Sequence, residues 1–248
     1  GELKTDGKSI SGYQKLGNHT QVYIYLETDQ QPLKIGTHQG AVIRTTDKST
    51  QGHNAYYILE YPKGTASVLL RYGVSFISSE QAKQNLHREI KNYNLQAVAD
   101  KGRSVWNETL GKIFVKGGTE NEKTVFYTSL YRTYERMICI SEDGRYFSAY
   151  DGQVHDDEGI PFYVDDWIWD TYRATHPLRL IIETEMESNM VNSLIRMAYQ
   201  MQPNWMPTFP EINGDSRRMN CNHGVATVLD AYNKGMRSFD LAKAYQVC

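Results

Sequence analysis

The apolar pattern of this 248-residue chain changes period near Ser79, and that change restricts the folds open to it. Before Ser79, the segments Gln21–Leu26, Gly40–Thr45, Ala55–Glu60 and Ala66–Ile77 alternate or run apolar, with Gly, Asp, Asn and Pro between them. These are the marks of short strands, and several at near-regular spacing predict an antiparallel β-sandwich. Beyond Ser79 the spacing becomes helical. Leu95, Val98, Ala99, Gly102, Val105, Trp106 and Leu110 predict an amphipathic helix over about 94–110. A short strand is expected over Lys112–Lys116. Thr119-Glu120-Asn121-Glu122 has the form of a capping box ahead of a helix that buries Val125, Phe126, Ser129, Leu130 and Thr133.

A polar hairpin is expected over about 141–153, with Asp143-Gly144 and Asp151-Gly152 as its turn pairs. Asp165 or Asp166 is placed to cap a helix reaching about Glu183, which Pro177 should break or kink. Further helices follow over about Met186–Met201 and Gly224–Lys234, the latter stopped by Gly235, and from near Asp240. Consecutive helices after a sandwich predict a multidomain α and β chain: a partial antiparallel beta-sandwich, then the first helices of an (alpha/alpha)6 barrel. The divisions are residues 1–79 for the sandwich, 80–118 for a linker helix and connecting strand, and 119–248 for the barrel segment. With only about half the helices of a closed double ring, the last helix should leave apolar surface uncovered.

A net charge of −2 with scattered Lys and Arg offers no footprint for nucleic acid. No run approaches the roughly 20 apolar residues of a membrane-spanning helix. Cys139, Cys221 and Cys248 show neither CxxC spacing nor a nucleophile motif, and three thiols cannot all pair within one chain. HExxH, GxSxG, P-loop and EF-hand patterns do not occur. Eighteen tyrosines against seven phenylalanines suit either a glycan surface or sheet faces.

The densest chemistry lies in Tyr163–Leu178, where three carboxylates, two indoles, an Arg and a His share one amphipathic segment. Indole faces cover the apolar side of a pyranose, while Asp and Arg take its hydroxyls. Helical spacing places Trp169 and Arg173 on one face with Asp170 at its edge. The bland alternative is a core Trp169 beside a structural Asp170–Arg173 pair. Pro203–Asp215 is a proline-stiffened loop containing Trp205 and Glu211, and His223 stands at a helix start where its ring could enter a cleft or merely pack. His155-Asp156-Asp157-Glu158 could suggest a metal, but adjacent ligands rarely converge, and a solvated acidic turn is the expectation.

Together these segments resemble glycoside hydrolase family 92, the calcium-dependent inverting alpha-mannosidases. The resemblance runs through Arg71–Leu86, Trp106–Ile113, Lys123–Tyr131, Asp143–Tyr146, Asp151–His155, Trp169–Leu178, Asn222–Ala226 and Leu229–Gly235. It implies an exo-acting enzyme that cleaves alpha-mannosidic bonds, alpha-1,2 foremost, in a mannose-containing oligosaccharide or glycan. It also implies calcium in the active centre and a periplasmic or secreted location, with no nucleic-acid or membrane partner. Trp169 and Asp170 would line the pocket for the released sugar, joined by Arg173, with His223 and Glu211 at its rim. The family's general acid lies in a Tyr-x-Glu-Gly-Asn-x-Trp-Gln type of segment, and its base and metal ligands lie further on. None of these segments occurs here. The chain is therefore expected to be an internal fragment without catalytic residues or metal ligands, inactive alone and completed by the remainder of the same polypeptide. Two other readings are a non-catalytic carbohydrate-binding module and a carbohydrate phosphorylase or trehalase-like enzyme of the same layout. The Gly117-Gly118 pair is a poor phosphate cradle for a phosphorylase.

Overall fold

The structure is a computed structural model that describes residues 1–17, 19–39, 42–44, 48–53, 55–219 and 222–248. The chain divides into two compact units, Gly1–Val98 and Ala99–Cys248.

The first unit holds eight strands, β1 (Glu2–Thr5), β2 (Ser9–Lys15), β3 (Gln21–Thr28), β4 (Lys34–Gln39), β5 (Val42–Arg44), β6 (Ser49–Gln51), β7 (Ala55–Glu60) and β8 (Leu70–Ser75), followed by helix α1 (Ser79–Glu89). All strand pairs are antiparallel, in a five-stranded sheet of order β6-β1-β2-β3-β8 and a three-stranded sheet of order β5-β4-β7. Period-2 alternation sends Leu3, Ile10, Ile24 and Leu26 of the larger sheet and Tyr57 and Leu59 of the smaller one into a common apolar space of about 270 Å³. The Tyr57 hydroxyl reaches the Leu3 and Lys48 carbonyls at 3.2 and 2.8 Å. This is the expected sandwich. Of the strand anticipated over Gly40–Thr45, Val42–Arg44 forms β5 and the other three positions lie outside the described residues.

Helix α1 was not anticipated, because its sequence is polar and only Ala82 and Leu86 supply buried apolar surface. Ser78 caps it, accepting a hydrogen bond from the Gln81 backbone N–H. It lies so close to β8 that a Cβ on Gly73 would stand 2.2 Å from the Ala82 carbonyl oxygen. At its far end, Arg71 donates to Glu27 at 2.7 Å and to the Ile90 carbonyl at 2.7 Å, and His87 contacts the same carboxylate at 2.9 Å.

The second chain half begins with α2 (Leu95–Leu110) and α3 (Glu120–Arg132). Thr119 and Glu122 form the predicted reciprocal capping box at the start of α3. Residues 112–116 make no strand, which corrects the expected connecting strand. Their polar backbone is served instead by one side chain: the Tyr127 hydroxyl donates to the Ile113 carbonyl and accepts from the Val115 N–H. Then come β9 (Ile138–Cys139), β10 (Arg145–Ser148), β11 (Gln153–Asp156), β12 (Tyr163–Val164), α4 (Ile168–Ile182), α5 (Thr184–Gln200), β13 (Pro210–Glu211), β14 (Gly214–Asp215), α6 (His223–Asn233) and α7 (Leu241–Gln246). The hairpin turns at Asp151-Gly152, as expected, and extends to Asp156. Helix α4 packs against α5 and α6, and Ile168, Met190, Val191, Leu194, Met197, Val228 and Ala231 are buried. Leu229, Leu241 and Tyr245 remain exposed on the last two helices. Cys139 and Cys248 are free thiols, and Cys221 lies outside the described residues. Among the described residues no helix is long and apolar enough to cross a membrane.

The helix α4 runs through Pro177 without a break, and, against expectation, neither Asp165 nor Asp166 caps it. The Asp166 carboxylate is engaged elsewhere, accepting from the Thr171 hydroxyl at 2.8 Å and from His176 Nε2 at 2.9 Å. His176 Nδ1 meets Glu187 Oε1 of α5 at 2.8 Å. All three residues are almost wholly excluded from solvent. Burial alone would depress the His176 pKa, but the charges and hydrogen bonds of Asp166 and Glu187 outweigh it and raise the value from 6.5 to about 9. The ring is therefore an imidazolium donating from both nitrogens. Arg179 lies one turn further along α4 and donates to the Thr133 and Arg136 carbonyls, at the end of α3 and just beyond it.

Two outcomes are expected. Gly73→Ala should destabilise the first unit by about 1–3 kcal/mol, because backbone stands where the methyl must go; an unchanged denaturation midpoint would contradict the close approach. His176 binds its proton more tightly folded than unfolded, so its contribution is complete below pH 6.5 and is lost as pH rises through about 9. The melting temperature of His176→Gln should therefore lie below that of the native chain at pH 6, by the equivalent of roughly 3 kcal/mol. That gap should shrink across this window, and a pH-independent gap would refute the assignment.

Candidate functional site

The site is built on the first turns of α4 and α6. The chain enters α4 through Asp165, whose left-handed backbone (φ 67°) makes a sharp corner, and whose carboxylate is paired with Arg136. The Arg136 guanidinium also lies over the Trp167 ring, 4.6 Å from its centroid. One residue on, the Asp166 N–H donates to the Pro210 carbonyl at 2.9 Å, which joins the entry of α4 to the strand carrying Glu211.

Past this corner Trp169 is 39% exposed, enough to present part of its indole to a ligand, and Asp170 and Arg173 are exposed as well. Trp169 meets His223 of α6 edge to face, with ring centroids 5.0 Å apart. Tyr172 stacks on His223, at 3.9 Å and 8° between planes. Arg173 does not form the structural pair with Asp170 that the bland reading required; its guanidinium lies over Tyr172, 5.5 Å from the ring centroid. Trp169, Arg173 and His223 are thus brought together through Tyr172, which sequence reasoning missed. Tyr172 lies next to Arg173 and faces α6, so only the packing of the two helices identifies it.

Burial first, and then the positive charge of Arg173, lower the His223 pKa below 6.5. The ring is neutral at pH 7, and its Nε2 is buried without a partner among the described residues. A neutral imidazole nitrogen can accept from or donate to a sugar hydroxyl, depending on tautomer.

Glu211 sits on β13, where Arg218 pairs with its carboxylate at 3.2 Å and the Tyr150 hydroxyl lies 3.4 Å from its carbonyl oxygen. Burial and the carboxylates of Asp215, Asp165, Glu211 and Asp166 drive the Tyr150 phenol well above its ordinary pKa, so it stays protonated. Trp205, 46% exposed, has Arg217 over its ring at 5.6 Å from the centroid.

Several carboxylates around the site already have protein partners. Asp166 and Glu187 are bound by His176, Glu211 by Arg218, and Asp215 by the Thr208 and Phe209 backbone. Among the described residues no three His, Cys, Asp or Glu side chains converge as a metal site. His155 turns back to Asp151 at 2.8 Å and stacks on Tyr146, while Asp157 is buried and accepts from the Gly159 N–H.

Comparison with known proteins gives a consistent picture. Residues 81–248 match the model of the glycosyl hydrolase family 92 catalytic domain. An inverting mannosidase of that family from Bacteroides thetaiotaomicron is similar over 99% of this chain and 34% of its own, with 28% identity and a TM-score of 0.86. A family 92 alpha-mannosidase from the same bacterium, in complex with mannoimidazole, superposes with the same coverage and a TM-score of 0.89 at 22% identity, a likeness of fold. A protein of Arthroderma benhamiae described as an uncharacterized secreted glycosidase is 32% identical over 95 residues, which are 34% of this chain and 12% of the relative. The chain thus spans about a third of the length of the mannosidases of known structure that it matches.

An NMR titration of the histidines checks the electrostatics of the site. His223 should titrate below pH 6.5, and Arg173→Gln should move it up without restoring the ordinary value, since the burial remains. A shift in the opposite direction would disprove the assigned cause.

Proposed function

The chain belongs to glycosyl hydrolase family 92, and from that premise we propose that the protein containing it is an exo-acting alpha-mannosidase. It would release mannose from a mannose-containing glycan, probing alpha-1,2 linkages first, by inverting hydrolysis. The observation that carries this reading is the Trp169–His223–Tyr172 ring cluster with exposed Asp170 in the same helical turn.

In the proposed pocket Trp169 covers the apolar face of the released sugar, and Asp170 accepts hydrogen bonds from its hydroxyls. His223 presents a neutral nitrogen, its pKa lowered by burial first and by the charge of Arg173 second. Glu211, neutralised by Arg218, closes the rim rather than acting as a base. Inversion needs an acid and a base held roughly 6.5–9.5 Å apart around a water. Both are assigned to the remainder of the polypeptide, as are the ligands of the calcium that the family implies. That ion would supply electrostatic stabilisation of the reacting sugar, and this chain's part is to bind and orient. The description of the Arthroderma benhamiae relative as secreted supports a location outside the cytoplasm.

The test is release of mannose from an aryl alpha-mannoside by the full-length enzyme. Asp170→Asn should lower kcat/KM roughly 10- to 100-fold, the worth of one charge-assisted hydrogen bond to substrate. The 248-residue chain alone should release none, for want of the acid and base. Native kcat/KM in Asp170→Asn, or turnover by the isolated chain, would overturn the respective part of the reading. Glycan binding without turnover by the full-length protein would favour the non-catalytic module.

A further inference from the structure

We infer that His176 is the positioning residue of the pocket: bridging Asp166 and Glu187, it fixes the corner from which Trp169 and Asp170 project and to which the Glu211 strand is tied. The inference rests on the proposed sugar pocket and deepens it.

Asp166 is where the parts of the site meet. Its backbone N–H holds Pro210, next to Glu211, and its carboxylate is shared between Thr171 and His176. Trp169 and Asp170 lie within four residues of it. The position of Asp166 therefore sets both arms of the site, and His176 sets the position of Asp166. The imidazole in turn cannot rotate, because its second nitrogen is held by Glu187 on α5. The hydrogen-bonded series Glu187–His176–Asp166–Thr171 runs from the α5 core to the residue beside Asp170.

Stability does not explain the arrangement. Replacing a buried ionic triad by apolar groups of equal volume is often neutral or stabilising, so the charges bring little that packing could not. What directional hydrogen bonds add is geometry. A binding constellation works when its groups are held within about 0.5 Å of the productive position by supporting residues whose own rotamers are locked. The charged neighbours agree with this role: Arg179 faces the same pair of carboxylates, with Tyr134 and Tyr163 beyond it, and no solvent reaches the triad to loosen it.

The experiment is calorimetric titration of the full-length enzyme with mannoimidazole, comparing the native protein with His176→Gln, Glu187→Gln and Asp170→Asn, each first confirmed folded by circular dichroism at the assay temperature. Asp170→Asn should weaken binding directly. His176→Gln and Glu187→Gln touch no ligand yet should each raise Kd about tenfold, the usual cost of losing a supporting partner. The double variant His176→Gln/Glu187→Gln should bind no worse than the weaker single one, because both remove the same tether. A merely structural triad would lower the melting temperature and leave Kd of the folded protein at its native value, which would overturn the inference. If His176→Gln does not fold, Glu187→Gln decides by the same criterion. Weakened binding by Asp170→Asn with native Kd in both triad variants sinks the positioning role alone. Native Kd in Asp170→Asn sinks the pocket itself and the positioning role with it.

Discussion

The interaction on which the second unit depends is a balanced set of four buried charges: the His176 and Arg179 cations against the Asp166 and Glu187 carboxylates. Their contacts reach several elements. Asp166 holds the entry of α4, Glu187 belongs to α5, and Arg179 takes carbonyls at the end of α3 and beyond. Isolated charges in such surroundings would cost several kcal/mol apiece. His176 is bonded to both carboxylates and Arg179 to two carbonyls, and these bonds tie α4 to its own entry, to α5 and to the segment after α3. The apolar residues around them supply the cohesion, and the charges supply the register.

The first unit solves a different problem by different means. Its sheets present alternate side chains to a shared apolar space, and their order is secured by backbone pairing rather than by ion pairs. Where α1 meets the sheet, charge also contributes, in the Arg71–Glu27–His87 group. There the helix approaches closely because Gly73 has no side chain to hold it off. A polar helix with two buried apolar residues can stay docked because it lies against backbone, where dispersion contacts are dense.

Function follows from the way the second unit ends its helices. The first turns of α4 and α6 lie side by side, so rings that would otherwise be scattered form one cluster: Trp169 and Tyr172 both contact His223, whose pKa is lowered by burial and by Arg173. The surface so made is part aromatic and part carboxylate, the chemistry that recognises a pyranose. Of its carboxylates, Asp166 is bound by His176, Glu211 by Arg218 and Asp215 by backbone amides, while Asp170 stays exposed. In the reading proposed above, this segment orients the sugar and residues elsewhere in the polypeptide cleave the bond.

The sequence by itself determined the β-then-α order, the capping box at Thr119, the turn at Asp151-Gly152, the stop at Gly235 and the concentration of sugar-binding residue types around Trp169. Each is a local matter of periodicity, backbone torsion or capping, readable within a few residues. Tertiary structure alone decided the rest. Helix α1 is stabilised by a glycine on a strand rather than by its own hydrophobic face. Residues 112–116 gave up a strand because Tyr127, a turn of helix away from the capping box, satisfies their backbone. Asp166 abandoned the capping role its position suggested, because two partners, five and ten residues along, bind its carboxylate more completely than a helix terminus would. Tyr172 and the buried partners of His176 could not be read in advance, for hydrogen bonds and ring stacks between helices depend on distances that sequence spacing does not contain.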